Sequence, residues 1–132
     1  MATVDLGAAD FERTVTENDI VLVDFWAAWC GPCRQFAPVY EQASLQHPDV
    51  VFGKVDTEAE QSLAAAARIT SIPTLMAFRD GILVFSQPGA LPAAGLAEVI
   101  AAVKALDMDD VRAQLEAQAT MGSSTEDPAR SA

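Results

Sequence analysis

Cysteine is scarce in this chain, with two in 132 residues. That count excludes the dense disulfide framework of a small secreted scaffold. Basic residues are few as well: 8 Lys and Arg stand against 19 Asp and Glu, for a net charge of −11. A phosphate backbone or an anionic lipid surface would repel such a chain, which argues against nucleic acid and membrane as partners. No apolar run approaches the roughly 18 residues of a membrane helix. The amino terminus, Met1-Ala2-Thr3-Val4-Asp5, has no basic segment followed by an apolar stretch. No secretory signal is expected there, and the expected address is the reducing cytoplasm. Metal ligands are short too, because His47 is the single histidine. The apolar fraction of 51% looks ample, but 25 of those residues are alanines, so a bulky core must come from Val, Ile, Leu, Phe, Met and Trp. That suffices for one domain, since compact domains most often run to about 100–150 residues.

What is present reads as alternating strands and helices. Val21 to Trp26 is a continuous β-branched and aromatic run, the pattern of a strand buried on both faces of a sheet, and Val50 to Val55 is a second. Between them Phe36, Val39, Tyr40 and Ala43 recur at helical spacing within Pro32 to Gln46, with Pro38 inside the helix where it should kink it. A short strand near Thr3 to Leu6 and a helix around Phe11 and Val15 precede this unit. Thr57-Glu58-Ala59-Glu60 has the capping-box pattern, predicting a helix that opens there and runs through Ala67. Thr74 to Phe78 and Ile82 to Phe85 are joined through Asp80-Gly81 and read as a hairpin. Leu96, Val99, Ile100, Val103 and Leu106 mark one face of a helix over Pro92 to Leu106. The order βαβαβαββα is an α/β fold, a mixed sheet between helices, over residues 1–106. Asp107 could cap a short amphipathic helix over 107–119, and 120–132 has too little apolar surface to order itself and reads as a disordered tail.

The two cysteines, Cys30 and Cys33, lie three positions apart. Such a pair can be a structural disulfide, half a metal site or a redox couple. Closing a loop of about four residues stabilises a fold by only roughly 2 kcal/mol before strain, and a reducing cytoplasm would keep it open. Zinc wants four ligands, and His47 is expected at the far end of the intervening helix, about 20 Å away, as a solvated residue before Pro48. A metal shared between two chains stays open. The redox reading gains from position: the motif follows the buried strand and opens a helix, where free amides and the macrodipole favour a thiolate. Cys30 is then the nucleophile. Pro32 suits the first helical turn, and Cys33, one turn further in, is the resolving thiol.

Asp24 is the other anomaly. Inside Ile20-Val21-Leu22-Val23-Asp24-Phe25-Trp26 it is either a carboxyl with a raised pKa that can exchange protons with Cys33, or a strand-end aspartate reaching water. Lys54, in the second apolar strand, either offsets the charge of Asp24 or snorkels to the surface. Trp26 reads as core, and Trp29 as a border of the substrate surface. From the residues alone, Pro73 in Ser71-Ile72-Pro73-Thr74 reads as a trans strand starter.

The segment Val23-Asp24-Phe25-Trp26-Ala27-Ala28-Trp29-Cys30-Gly31-Pro32-Cys33, with Ile72-Pro73-Thr74 and Gly89-Ala90 downstream, resembles the thioredoxin family over about residues 3–106. The resemblance implies a thioredoxin fold with a central five-stranded mixed sheet, followed by a C-terminal extension that a minimal member lacks. It implies a cis peptide before Pro73, and a buried proton-handling pair of Asp24 and Lys54 behind Cys33. It also implies an apolar client-binding patch of Trp29, Gly31, Pro32, Ile72, Pro73 and Gly89. Pro88 departs from the small aliphatic residue frequent in the family, and Arg34 replaces a frequent lysine. The activity implied is protein-disulfide reduction through a transient Cys30–Cys33 disulfide. The partners implied are disulfide-bearing clients and thioredoxin reductase, which draws on NADPH through its flavin. The chain itself is expected to be a monomer and to bind neither cofactor nor metal. Two rivals keep the fold: an oxidase or isomerase of secreted proteins, and a redox-inactive binding module or chaperone.

Overall fold

The computed structural model describes the backbone of residues 2–131 and the side chains as far as Thr120. A five-stranded sheet is ordered β1-β3-β2-β4-β5, from β1 (Thr3–Asp5), β2 (Ile20–Trp26), β3 (Val51–Asp56), β4 (Thr74–Arg79) and β5 (Ile82–Pro88). β1, β3 and β2 run parallel, and β4 and β5 are antiparallel. The mixed sheet expected from the sequence is therefore present. Around it lie α1 (Phe11–Glu17), α2 (Gly31–Gln46), α3 (Gln61–Ala66), α4 (Ala93–Ala105) and α5 (Met108–Ser131). No helix among the described residues is long and apolar enough to cross a membrane.

β2 is the centre of the sheet, and its period of two divides the core. Leu22 joins Phe36, Tyr40, Phe52, Leu96 and Ile100 under α2 and α4. Val21, Val23 and Phe25 point the other way, to Leu6, Val15, Val55 and Met76. The side chain of Leu6, just past β1, fills the space over Gly53, where an added Cβ would sit 2.5 Å from Leu6 Cδ1 and 3.3 Å from the Leu22 carbonyl oxygen, so Leu6 would have to move. At the hairpin, Asp80 (φ 53°) and Gly81 (φ 79°) both adopt the positive angles of a tight two-residue turn. Arg79 Nη1 donates to the carbonyls of Val103, Lys104 and Leu106 at 2.7, 3.1 and 3.2 Å, satisfying the free end of α4.

One sequence expectation changes. The capping box at Thr57–Glu60 does not form, and α3 begins at Gln61 with no side-chain cap. Asp56 Oδ1 takes the amides of Glu58 and Ala59 instead, at 2.9 and 3.4 Å, and Thr57 is drawn to the end of β2. In the extension, Asp107 Oδ1 accepts from the Asp109 and Asp110 amides at 3.1 and 3.2 Å, opening α5, whose first turn is anchored by the buried Met108.

Candidate active site

The strand-to-helix junction β2–α2 carries the cysteines. Cys30 is the N-cap of α2, with extended backbone, and Pro32 lies in the first turn, where its missing N–H removes no helical bond. Cys30 Sγ accepts the Cys33 N–H at 3.1 Å and lies 3.7 Å from the Ile72 carbonyl oxygen. The two sulfurs are joined as a disulfide, with Cα atoms 5.2 Å apart. Both residues are buried and pack with Ala27, Trp26 and Ile72. Among the described residues no cluster of three or more metal-ligating side chains occurs. His47 lies at the opposite end of the 16-residue α2, roughly 24 Å along the axis. It is not a free turn residue there, since its Nδ1 meets Lys104 Nζ at 3.0 Å, and Lys104 pairs with Asp49 at 2.9 Å.

The loop before β4 comes to the same place. The Ile72–Pro73 peptide is cis, where residue-level reading alone placed a trans proline. Pro73 is buried and its carbonyl accepts the Gly89 N–H at 2.7 Å, and Ile72 packs against the cysteine pair. Trp29 is 67% exposed, and its Nε1–H donates to Glu58 Oε1 at 2.8 Å. An open groove of about 550 Å³ continues from Trp29 and Ile72 past Gln61 and Ala64 to Ile69. Arg34 closes the loop on the other side, donating to the Ala28 carbonyl at 2.8 Å.

Behind the cysteines lies Asp24, 1% exposed. It shares a strand face with Trp26, which packs on the cysteine pair. Neither Asp24 oxygen has a hydrogen-bond partner among the described residues, and the same holds for Trp26 Nε1. Burial pushes the Asp24 carboxyl up to about 7, against the pull of the Lys54 charge. Lys54 is its direct register neighbour on β3, half-buried with Nζ 4.9 Å from the Trp26 ring centroid. Its ammonium lies over the indole and opposes the effect of burial on Asp24. Tyr40 on α2 is pushed far up by burial and by the Asp24 charge, and its hydroxyl donates to Gly53 O at 2.8 Å.

Comparison with known proteins fixes the family. The thioredoxin family model matches residues 2–102. A Streptomyces coelicolor relative carrying the provisional name thioredoxin 2 is 58% identical over 122 residues, 92% of this chain and 91% of its own. This chain belongs to the thioredoxin family. Thioredoxin 1 of Synechococcus elongatus is 48% identical over 94 residues, 70% of this chain and 88% of its own. Among solved structures, a variant of Halobacterium salinarum thioredoxin superposes with a TM-score of 0.73 at 33% identity, covering 80% of this chain and 92% of that one. Membership and the paired cysteines make the chain a thiol–disulfide oxidoreductase that acts as a protein-disulfide reductase. Thioredoxins act with thioredoxin reductase and disulfide-bearing proteins. The match of 122 residues also reaches well past Leu106, so the Streptomyces relative shares much of the extension.

Three contributors escaped the sequence reading: Glu58 holding Trp29, Arg34 on the Ala28 carbonyl, and Glu60. The two glutamates were read only within a local capping box, whereas their partners are 29 and 52 residues away.

Proposed function

We propose that Cys30 is the attacking thiolate and Cys33 the resolving thiol. Cys30 attacks one sulfur of a client disulfide, forming a mixed disulfide, and the other client sulfur leaves as a thiolate that takes a proton. Cys33 then gives its proton to the Asp24 carboxylate while its sulfur attacks Cys30 Sγ. The mixed disulfide breaks, the second client sulfur leaves and is protonated, and two electrons have passed to the client. The observation that carries this reading is Cys30 Sγ at the start of α2, accepting the Cys33 amide, since a helix N-terminus with a free amide favours negative charge on sulfur.

Asp24 suits the proton role because a carboxyl near 7 can hold or release a proton at neutral pH. Lys54 tempers it. Trp29, Gly31, Pro32, Ile72, Pro73 and Gly89 form the apolar surface that receives the client segment. The dithiol is restored by a thioredoxin reductase supplied with NADPH, with no cofactor on this chain. The setting is the cytoplasm and the catalytic unit is residues 1–106. Insulin reduction driven by dithiothreitol tests the assignment. Cys30→Ser is expected to abolish turnover above the dithiothreitol background, and retained turnover overturns it.

A further inference from the structure

The Thr57–Glu60 run does not cap its own helix; its side chains reach across the end of the sheet. Thr57 donates to the Trp26 carbonyl through both N–H and Oγ1–H, at 2.9 and 3.0 Å. Glu60 Oε1 accepts the Ala8 N–H at 3.0 Å, joining the β3–α3 turn to the β1–α1 loop. The fit is close: a Cβ on Gly7 would sit 3.2–3.3 Å from the Glu60 carboxylate. Asp10 Oδ1 fixes the Gly7 N–H at 2.8 Å, and Leu6 N–H donates to Lys54 O at 2.8 Å.

These contacts border a crevice of about 270 Å³ whose lining includes Leu6, Gly7, Trp26, Lys54 and Glu60. One of those residues leads inward: Trp26 Nε1 is buried with no partner among the described residues, and the same holds for both oxygens of Asp24, two residues back on the same strand face. Buried polar groups of this kind are ordinarily satisfied by water, and this crevice is polar and has ample room for it.

We propose that Glu60 is a positioning residue that, by strapping the β1–α1 loop to the β3–α3 turn, restricts the water beside Lys54 through which Asp24 exchanges its proton with solvent. The proposal rests on Asp24 as the proton acceptor from Cys33. Each reductive turnover leaves one proton on Asp24, and that proton has to reach solvent before the next. The groups that face Asp24 are Lys54 from β3, Tyr40 from α2, and apolar Leu75 from β4. Around Glu60 the charged neighbours are Asp5, Asp56 and Lys54. A looser strap admits water, relieves the desolvation of Asp24 and lowers its titration midpoint.

The test is the Asp24 carboxyl midpoint, followed by carbon-13 NMR in the oxidised protein, together with the pH profile of insulin reduction by the dithiol form. Glu60→Ala is expected to lower the midpoint by about one unit. Glu60→Gln keeps an oxygen for the Ala8 amide and is expected to retain the wild-type midpoint. Gly7→Ala, which crowds the carboxylate from the loop side, is expected to shift it in the same direction as Glu60→Ala. An unmoved midpoint in Glu60→Ala overturns the proposal even if its melting temperature falls, and an equal shift in Glu60→Gln overturns it in favour of charge alone. Asp24→Asn separates the two levels. If it flattens the pH profile while Glu60→Ala matches wild type, only the strap fails. If it leaves the profile intact, the role of Asp24 fails and the strap with it.

Discussion

The two faces of β2 are both largely buried and chemically opposed. On one, Val21, Val23 and Phe25 are fully buried against Leu6, Val15, Val55 and Met76. On the other lie Leu22, Asp24 and Trp26, and Asp24 is 1% exposed with no hydrogen bond to either oxygen among the described residues. Neighbouring residues of a strand lie one pleat apart, so the same backbone ladder supports a closed apolar core and an unsatisfied carboxyl. The first face stabilises the fold. The second tolerates a local cost in order to hold a group that titrates near neutral pH, the pattern expected where chemistry is done.

The largest effect that would sharpen this contrast is on the apolar face. Phe25→Ala is expected to lose about 4 kcal/mol of stability through lost transfer energy and a cavity, with little dependence on pH. Urea unfolding at pH 5 and pH 8 measures it, and a loss that differs strongly between the two pH values breaks the comparison.

On the other face the effect depends on pH. A carboxyl at about 7 in the folded chain and at its ordinary value of 3.8 in the unfolded chain binds more protons folded than unfolded between those limits. Stability attributable to Asp24 therefore declines as pH rises from about 4 to about 7, and is flat beyond. The full difference is about 4 kcal/mol, on the order of 1.4 kcal/mol per unit. Asp24→Asn removes the titration. Relative to wild type it is expected to gain stability from about pH 4 to about pH 7, by up to about 4 kcal/mol, and to hold that gain at pH 8. Parallel stability curves for the two proteins would show that the second face is no more costly than the first.

The contrast between the faces was partly legible in the sequence. The continuous apolar run around Asp24 announced a strand covered on both sides, and Cys30-Gly31-Pro32-Cys33 after it announced a helix start, because strand burial, helix entry and thiolate chemistry are local in sequence. The Asp80-Gly81 turn was legible for the same reason. Thr57–Glu60 misled because a capping box is a local rule, and tertiary partners outbid it: Trp26 O for Thr57 and the Ala8 amide for Glu60. Trp29–Glu58 and Arg79 on the end of α4 were illegible, since nothing in the chain signals a hydrogen bond between residues 24–29 apart. Asp24 and Lys54 were legible as anomalies, but their mutual effect depends on β2 and β3 being neighbours in register, which is topology and not pattern.

The smallest effect separates the pull of Lys54 from the push of burial. Desolvation dominates at Asp24, and the ammonium on β3 opposes it from a half-buried position over the indole ring. Solvent screens a charge placed there more than it screens a fully buried one, so its removal should move Asp24 less than burial does. Lys54→Met keeps the packing of the stem on Trp26 and deletes the charge. The Asp24 midpoint is expected to rise above about 7, and Lys54→Arg, which keeps the charge, is expected to hold it near wild type. Carbon-13 titration of the carboxyl reads both. A midpoint that falls in Lys54→Met would mean that the loss of the lysine lets water in, and that the ammonium acts on this face as a plug and not as a counter-charge.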